Sequence, residues 1–335
     1  MSDSSFRLPR LPHAEVLVLL TSYNRRDYLA ESLDSVLRQT WRDLHVLVID
    51  DASPDGAGDV AREYSRRFPE QVSALCKPVR RGLAHSVNVG LSLMREAPYV
   101  AFQADDDLWT EQKLERQLEL FASDPDLGLV ATESLLVDAS GAPTGQTFSD
   151  MCGLPDLAEA APYIFARGTF LCAPSVVVSR AGLELVDYRY PVDGTCNDMY
   201  MGLVISAHMR IGWIAEPLTH YRRTQSAISI ARTGEVRRES FVLRRYAFMH
   251  FEAVRRSVGG ERARRWLERD AVFWATQHLR RGELKEYSWY VRDTLTKSRS
   301  PRAIAGLALG TAWVGLAVLL GAIRARLSLR RQGSC

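Results

Sequence analysis

The order of apolar and polar segments in the first two thirds of the chain predicts strands that alternate with helices. Short apolar runs, typical of buried strands, are separated by stretches with helical spacing of apolar residues. The predicted strands lie at 15–20, 44–49, 72–76 and 99–104. The first predicted helix follows Asp27, and the next two cover 57–67 and 82–96. Such alternation indicates crossover units and a mainly parallel sheet flanked by helices, which is an α/β fold.

The remaining pattern predicts further strands and then a helical tail. Strands are expected at 127–138 and 175–178, and helices at 199–209, 235–256 and 264–281; two further runs, 211–214 and 217–223, follow the first of these helices. We therefore expect a flexible N-terminus over 1–13, a catalytic domain over 14–225, a basic helical region over 226–300, and an apolar helix with a basic C-terminus over 301–335.

Acidic residues stand where two of the predicted strands end. Asp50 and Asp51 end the second strand, and Asp105, Asp106 and Asp107 end the fourth. Ligands bind parallel sheets beyond the carboxyl ends of their strands, so these residues, with Thr21 and Tyr23 after the first strand, are expected to share one site. Clustered carboxylates favour a hard divalent cation, and Mg²⁺ commonly arrives with substrate phosphates.

Charge divides the chain into two unlike parts. Residues 1–231 contain 21 basic and 31 acidic side chains, whereas residues 232–335 contain 22 basic and 9 acidic. The acidic part fits a metal-using enzyme, and the basic part fits a membrane surface better than nucleic acid, because no recognised nucleic-acid motif accompanies the charge. Five cysteines without close pairs indicate a reducing compartment, and residues 1–15 lack the apolar core of a signal peptide.

Several motifs, in one order along the chain, resemble the family 2 glycosyltransferases. They read VLLTSYNRRDYLAESLDSVLRQT at 18–40, VLVIDDASPDG at 46–56, DDDLWTEQKLE at 105–115, NDM at 197–199 and PLTHYR at 217–222. The resemblance covers residues 14–225. It implies the GT-A fold, a nucleotide-sugar donor, Mn²⁺ or Mg²⁺ as cofactor, and inversion at the anomeric carbon.

The resemblance also implies roles for individual residues. Thr21, Tyr23 and Asn24 match the nucleotide-binding loop, and Asp51 matches the carboxylate that accepts a hydrogen bond from the base. Asp106 matches the metal-binding aspartate, with Asp105 and Asp107 beside it as contacts to ribose, metal or metal-bound water. Asp198 matches the catalytic base.

The sequence departs from the family pattern at two places that concern the donor. Ala104 stands where the first aspartate of the metal motif is usual, which leaves open which aspartate of the triplet binds metal. Val87 stands where an arginine is usual, so that the diphosphate would be contacted from elsewhere, with Arg81 and Arg222 as candidates.

Together these features predict an inverting glycosyltransferase that moves a sugar from a nucleotide-diphosphate sugar, with a UDP sugar favoured, to a hydroxyl of a glycan or lipid-linked acceptor. Synthesis of a surface polysaccharide or glycolipid is the expected setting. The alternatives are a catalytically impaired GT-A protein that binds carbohydrate or nucleotide, and a sugar nucleotidyltransferase. The latter needs a glycine- and arginine-rich phosphate loop after the first strand, where Thr21-Ser22-Tyr23-Asn24 stands instead.

An uncharged stretch in the tail, residues 303–323, is as long as a membrane span and has arginines on both sides. It is expected to cross the membrane, to dip into one leaflet, to lie at the interface, or to pack as a buried helix. We expect the enzyme at the cytoplasmic face of the cell membrane or, without this attachment, in the cytoplasm. The tail is also a candidate interface for a homo-oligomer.

Overall fold

A computed structural model of the 335-residue chain describes residues 8–191, 197–224, 233–280, 287–292 and 305–308. The chain forms two compact units, Met1–Val258 and Gly259–Cys335. The described residues of the first unit contain one sheet of nine strands. These are β1 Val16–Ser22, β2 Leu44–Asp50, β3 Val72–Cys76, β4 Tyr99–Ala104, β5 Leu108–Trp109, β6 Leu127–Val137, β7 Pro143–Thr147, β8 Val176–Ser179 and β9 Arg210–Arg222.

The sheet is parallel on one side and mixed on the other. Its order is β3-β2-β1-β4-β8-β6-β9-β5, with β7 paired to β6. Strands β3, β2, β1 and β4 are parallel, whereas β8 runs antiparallel to both β4 and β6. In β1 and β2 almost every residue is buried, as expected for strands covered on both faces. This α/β arrangement confirms the predicted fold class.

Register aligns the carboxyl ends of three neighbouring strands. Thr21 of β1 pairs with Ile49 of β2 on one side and with Ala104 of β4 on the other. The residues that follow these strands therefore leave the sheet at one edge, where the sequence predicted a shared site.

Helices lie between and after the strands. They are α1 Arg26–Leu37, α2 Ala57–Arg67, α3 Leu83–Leu93, α4 Lys113–Ser123, α5 Phe148–Cys152, α6 Ala160–Arg167, α7 Arg180–Leu185, α8 Asn197–His208, α9 Thr233–His250, α10 Glu252–Val258 and α11 Gly260–Arg280. In α1 the buried residues Leu29, Leu33 and Val36 recur at helical spacing and join the core cluster built on β1 and β2.

The region predicted as a separate basic helical segment is divided between the two units. Helices α9 and α10 belong to the first unit, where both contact α8 and α10 also contacts α6. The contacts include Tyr246 of α9, whose ring centroid lies 6.2 Å from that of Tyr200. Arg244 of α9 also donates from Nη1 to the carbonyl oxygen of Phe165, at 3.0 Å. The first unit therefore extends past the predicted boundary at residue 225.

The second unit is described over α11 and two short helical pieces at 287–292 and 305–308. Within it the ring of His278 stacks on that of Tyr290, with centroids 5.5 Å apart. In the described part of the chain, every helix is too short or too polar to cross a bilayer. The apolar stretch 303–323 lies outside the described residues except for 305–308, so the expectation that it meets a membrane stays a prediction.

Gly182 of α7 gives a direct test of how this helix packs against β6 and β8. A methyl group at this position would meet the backbone carbonyl oxygen of Gly128 in β6, and would lie 3.0 Å from Cγ1 of Val178 in β8. Backbone cannot yield as a side chain can, so Gly182→Ala should lower the free energy of unfolding by about 1–3 kcal/mol. Urea denaturation would measure it. Ala181→Ser, at an exposed position of the same helix, is the control and should change it by no more than about 0.5 kcal/mol; equal stability of the two variants would contradict the packing.

Candidate active site

The first component of the site is Asp51, directly after β2. Its Oδ1 accepts a hydrogen bond from the backbone N–H of Arg81 at 2.8 Å, and its Oδ2 accepts one from Gly82 at 2.7 Å. Nζ of Lys77 lies 2.5 Å from Oδ1, and both side chains are almost fully buried. Burial lowers the pKa of Lys77, while the pair with Asp51 opposes that change. Asp51 thus ties β2 to the loop before α3.

The loop after β1 lies beside Asp51. Asn24 has a left-handed backbone, with φ of 58°, and its N–H donates to Oγ of Ser53 at 3.0 Å. The guanidinium of Arg80 stacks on the ring of Tyr23, 3.8 Å from its centroid. Tyr23 also donates its backbone N–H to Oδ2 of Asp105 at 3.0 Å, which joins this loop to the acidic end of β4.

The three consecutive aspartates after β4 have three different partners. Asp105 accepts from the Tyr23 backbone, and Asp107 accepts from the backbone N–H of Arg222 at 2.7 Å. Oδ2 of Asp106 instead lies 3.4 Å from Nε of Arg25, a side-chain cation. Burial, with the charge of Asp106 second, raises the pKa of Asp105 to about 7 and that of Asp107 well above its usual range. Burial also raises the pKa of Asp106, against the opposing effect of Arg25.

Arg222, a candidate for the diphosphate, is buried and already bonded to the protein. Its Nε donates to the carbonyl oxygen of Asp106 and its Nη1 to that of Ala139, each at 2.8 Å. Nη2 donates to Oε2 of Glu31 at 2.7 Å, and the guanidinium lies 4.7 Å from the ring centroid of Tyr28. This geometry favours a structural role for Arg222. Arg81 differs because its side chain is exposed; contact of either arginine with the diphosphate stays a prediction.

Asp198, the candidate base, lies in the first turn of α8. Its carboxylate is half-buried, and Oδ1 accepts from the backbone N–H of Met199 at 2.7 Å. Burial raises the pKa of Asp198 to about 6. It lines a cavity of about 120 Å³ together with Thr21 and Ala104, at the ends of β1 and β4. The structure therefore brings Asp198 to the edge of the sheet that the other candidates occupy.

Three residues of this region were missed by the sequence analysis. Arg25 pairs with Asp106, as described. Tyr190 and Gln103 line the cavity beside Asp198, and within the described residues the Tyr190 hydroxyl and Gln103 Oε1 are buried without a hydrogen-bond partner. Arg25 directly follows the predicted loop residues Tyr23 and Asn24, and this position could have marked it as a candidate. No local sequence pattern marks Tyr190 or Gln103.

The structure supports the expected metal site only in part. Among the described residues, no group of three or more His, Cys, Asp and Glu side chains is arranged to hold a metal ion. Asp106 still fits a metal site completed by substrate, because 14% of its side chain remains exposed and its side-chain partner carries positive charge. Mg²⁺ is usually held by one or two carboxylates together with substrate phosphates, so a full protein cage is not required.

A parallel half-sheet with acidic and polar side chains at its carboxyl edge is the arrangement in which α/β proteins place a ligand site. Residues 17–133 match the family model described as glycosyl transferase family 2. Residues 17–133 therefore form a family 2 glycosyltransferase domain, and its sheet and helices have the GT-A fold.

Relatives that are named as glycosyltransferases match larger parts of the chain. EpsE of Bacillus subtilis (strain 168), named as a glycosyltransferase, is 29% identical over 176 residues, which are 52% of this chain and 60% of EpsE. TuaG of the same strain, named as a teichuronic acid biosynthesis glycosyltransferase, is 27% identical over 239 residues, 70% of this chain and 90% of TuaG.

Two solved structures share the fold. TarS of S. aureus, residues 1–349 in complex with UDP-GlcNAc, has a TM-score of 0.55 at 14% identity, covering 84% of this chain and 92% of that one. The mannosyltransferase PcManGT from Pyrobaculum calidifontis, in complex with GDP-Man and Mn²⁺, has a TM-score of 0.54 at 19% identity, covering 93% and 91%. At these identities the likeness shows the fold.

The buried pair of Lys77 and Asp51 can be tested apart from any ligand. Lys77→Met removes one partner and leaves the Asp51 carboxylate buried without its cation, so the free energy of unfolding should fall by about 3–5 kcal/mol. Arg62→Met is the matched control, since Arg62 pairs with Asp59 at 2.6 Å but both side chains are exposed. Urea denaturation of both variants would decide the matter, and equal losses would show that burial does not make the Lys77 pair special.

Proposed function

We propose that this glycosyltransferase moves a sugar from a nucleotide-diphosphate sugar to an acceptor hydroxyl, with inversion at the anomeric carbon. The observation that carries the proposal is the position of Asp198, which lines one cavity with Thr21 and Ala104 at the ends of β1 and β4. The carboxylate of Asp198 suits a general base, and the acidic end of β4 at the same sheet edge suits a donor site. The UDP-GlcNAc and GDP-Man complexes of TarS and PcManGT support such a donor, and we favour a UDP sugar.

The reaction is a single in-line displacement. Asp198 takes the proton from the acceptor hydroxyl, whose oxygen forms the new bond to the anomeric carbon. The bond from that carbon to the diphosphate oxygen breaks, and the nucleoside diphosphate leaves with the electron pair. A pKa of about 6 leaves Asp198 ionised at neutral pH while keeping it a stronger base than an ordinary aspartate.

The donor would lie along the edge formed by the loops after β1, β2 and β4. We assign Thr21, Tyr23, Asn24 and Asp51 to the nucleotide, with Asp105 beside the ribose and the exposed Arg81 at the diphosphate. We assign Asp106, with Asp107 next to it, to a divalent ion, Mn²⁺ or Mg²⁺, as the Mn²⁺ bound to PcManGT supports. When bound, such an ion supplies positive charge for the leaving diphosphate.

The acceptor that we propose is a glycan or a lipid-linked sugar of a surface polysaccharide or glycolipid pathway. The name of TuaG, which refers to teichuronic acid biosynthesis, supports this setting. Membership in a glycosyltransferase family favours this reaction over that of a sugar nucleotidyltransferase. A catalytically impaired binding protein would bind the donor without transferring its sugar.

Asp198→Asn tests the proposed base. We expect nucleotide-sugar affinity to stay within about twofold and turnover to fall by about 10²–10⁴-fold. Because Asp198 must be ionised to accept the proton, wild-type turnover should fall as pH drops below about 6, and the variant should lose this limb. Asp187→Asn is the control, since Asp187 is exposed and asparagine tolerates its left-handed φ of 48°. Lost donor affinity with unchanged saturated turnover would contradict the role of a base.

We further propose that the tail attaches the enzyme to the cytoplasmic face of the membrane. The net charge of +13 over residues 232–335 and the uncharged stretch 303–323 support the proposal. Each basic side chain near an anionic surface contributes about 1 kcal/mol, so several arginines suffice for surface attachment.

Flotation of the full-length chain with anionic and with neutral vesicles tests this attachment. We expect binding to anionic vesicles at low salt, and release by high salt alone if attachment is electrostatic. Binding that resists salt but is lost from a chain ending at Ser300 would identify 303–323 as the anchor. A full-length chain that ignores anionic vesicles at low salt would refute attachment and favour the homo-oligomer interface.

A further inference from the structure

Arg25 reaches the acidic end of β4 from a fixed backbone position. Its carbonyl oxygen accepts the N–H groups of Tyr28 and Leu29, at 3.1 and 3.0 Å, which begin α1. From this position its Nε lies 3.4 Å from Oδ2 of Asp106, and the two side chains are 16% and 14% exposed. The backbone of Arg25 is thus held by the helix, while its long side chain extends to a separate strand.

Asp106 differs from its neighbours in the kind of partner it has. Asp105 and Asp107 accept hydrogen bonds from backbone N–H groups, which cannot leave without rebuilding the loop or strand that carries them. The Arg25 guanidinium instead stands at the end of a long side chain, whose torsions can rotate to carry it to a second position. Asp106 is therefore the member of the triplet whose described partner is a side-chain cation, which can be exchanged without moving the backbone.

A divalent ion at Asp106 would meet the guanidinium at close range. Two unit charges 4 Å apart interact by about 1 kcal/mol in water and by about 4 kcal/mol at an effective dielectric constant of 20. With both side chains mostly buried, the repulsion between an ion at Asp106 and Arg25 exceeds the value in water. The carboxylate therefore favours one cation over two.

We propose that Arg25 is an exchangeable counter-ion, which neutralises Asp106 in the metal-free enzyme and turns to the donor diphosphate when a divalent ion takes its place. This inference rests on the proposed function, because it needs a metal and a diphosphate at the acidic end of β4. The exchange conserves local charge balance. Asp106 is paired both before and after the metal binds, and the released guanidinium meets the anion that arrives with it.

Binding of Mn²⁺ alone tests the first half, with free Mn²⁺ measured by electron paramagnetic resonance. Arg25→Gln should bind Mn²⁺ at least about fivefold more tightly than wild type, the factor that corresponds to the interaction of two unit charges in water. Arg26→Gln is the matched control. It removes the same charge from the next residue, whose side chain extends to Gly56 and Asp59 instead, and it should bind as wild type does. In an Asp106→Ala background, Arg25→Gln should have no effect.

Binding of UDP and of uridine, both at saturating Mn²⁺, tests the second half. Arg25→Gln should weaken UDP binding about fivefold or more, by loss of a charge-assisted hydrogen bond, and leave uridine binding unchanged. Mn²⁺ affinity that is not increased by Arg25→Gln would overturn the exchange, and unchanged UDP affinity would overturn the contact with the diphosphate. If the wild type binds neither Mn²⁺ nor UDP, the proposed donor site itself is refuted.

Discussion

The burial of three adjacent carboxylates after β4 is the constraint on which the rest of this edge depends. Burial raises the pKa of all three, and that of Asp105 reaches about 7. For Asp105 the folded-state pKa lies above the ordinary value of 3.8, so its contribution to stability is full below that value and is lost as pH rises through about 7. The surrounding hydrogen bonds and arginines offset the free-energy cost of burying these carboxylates. The same contacts connect distant parts of the chain.

Arg222 makes most of these connections. From the end of β9 its backbone holds Asp107, and its guanidinium joins the carbonyl groups of Asp106 and Ala139 to Glu31 of α1. Sequence separations of 83 to 191 residues are thereby closed around one side chain. Conversely, Glu31 is the carboxylate that pairs with this buried guanidinium, and the charge of Arg222 lowers the pKa of Asp106 against the effect of burial. The acidic end of the sheet and the terminus of its last long strand therefore stabilise each other.

Much of the fold could be predicted because the strands beside β1 are buried on both faces. Their apolar runs stand out, and the prediction for β4 agrees with the structure residue for residue, as do those for the more exposed β3 and for α2. The mixed half was harder to predict. The runs at 211–214 and 217–223 form one strand, β9, whose pairing with β6 shifts register near Pro217. A proline cannot donate to the ladder, and its local signal resembles a strand end.

The site was predictable in its positions but not in its partners. Strand ends mark Thr21, Asp51 and the triplet, since the register of parallel strands places such residues at one edge. The pairing of Arg25 with Asp106 depends instead on the direction of a side chain that crosses to another strand. The division at residue 258 was likewise hidden, because the amphipathic pattern of α9 and α10 does not say which core they join.

The Lys77–Asp51 pair has a consequence for how this family can diverge. A chain that changes either position alone must pass through a form with one buried charge left over, and such forms are disfavoured under selection for folding. Substitutions at 51 and 77 should therefore be coupled in descendants of this sequence: a lineage that replaces the lysine must change the aspartate nearly at once or provide a new cation. If selection retains Asp51 for the nucleotide, Lys77 should be retained too, as the counter-ion of Asp51.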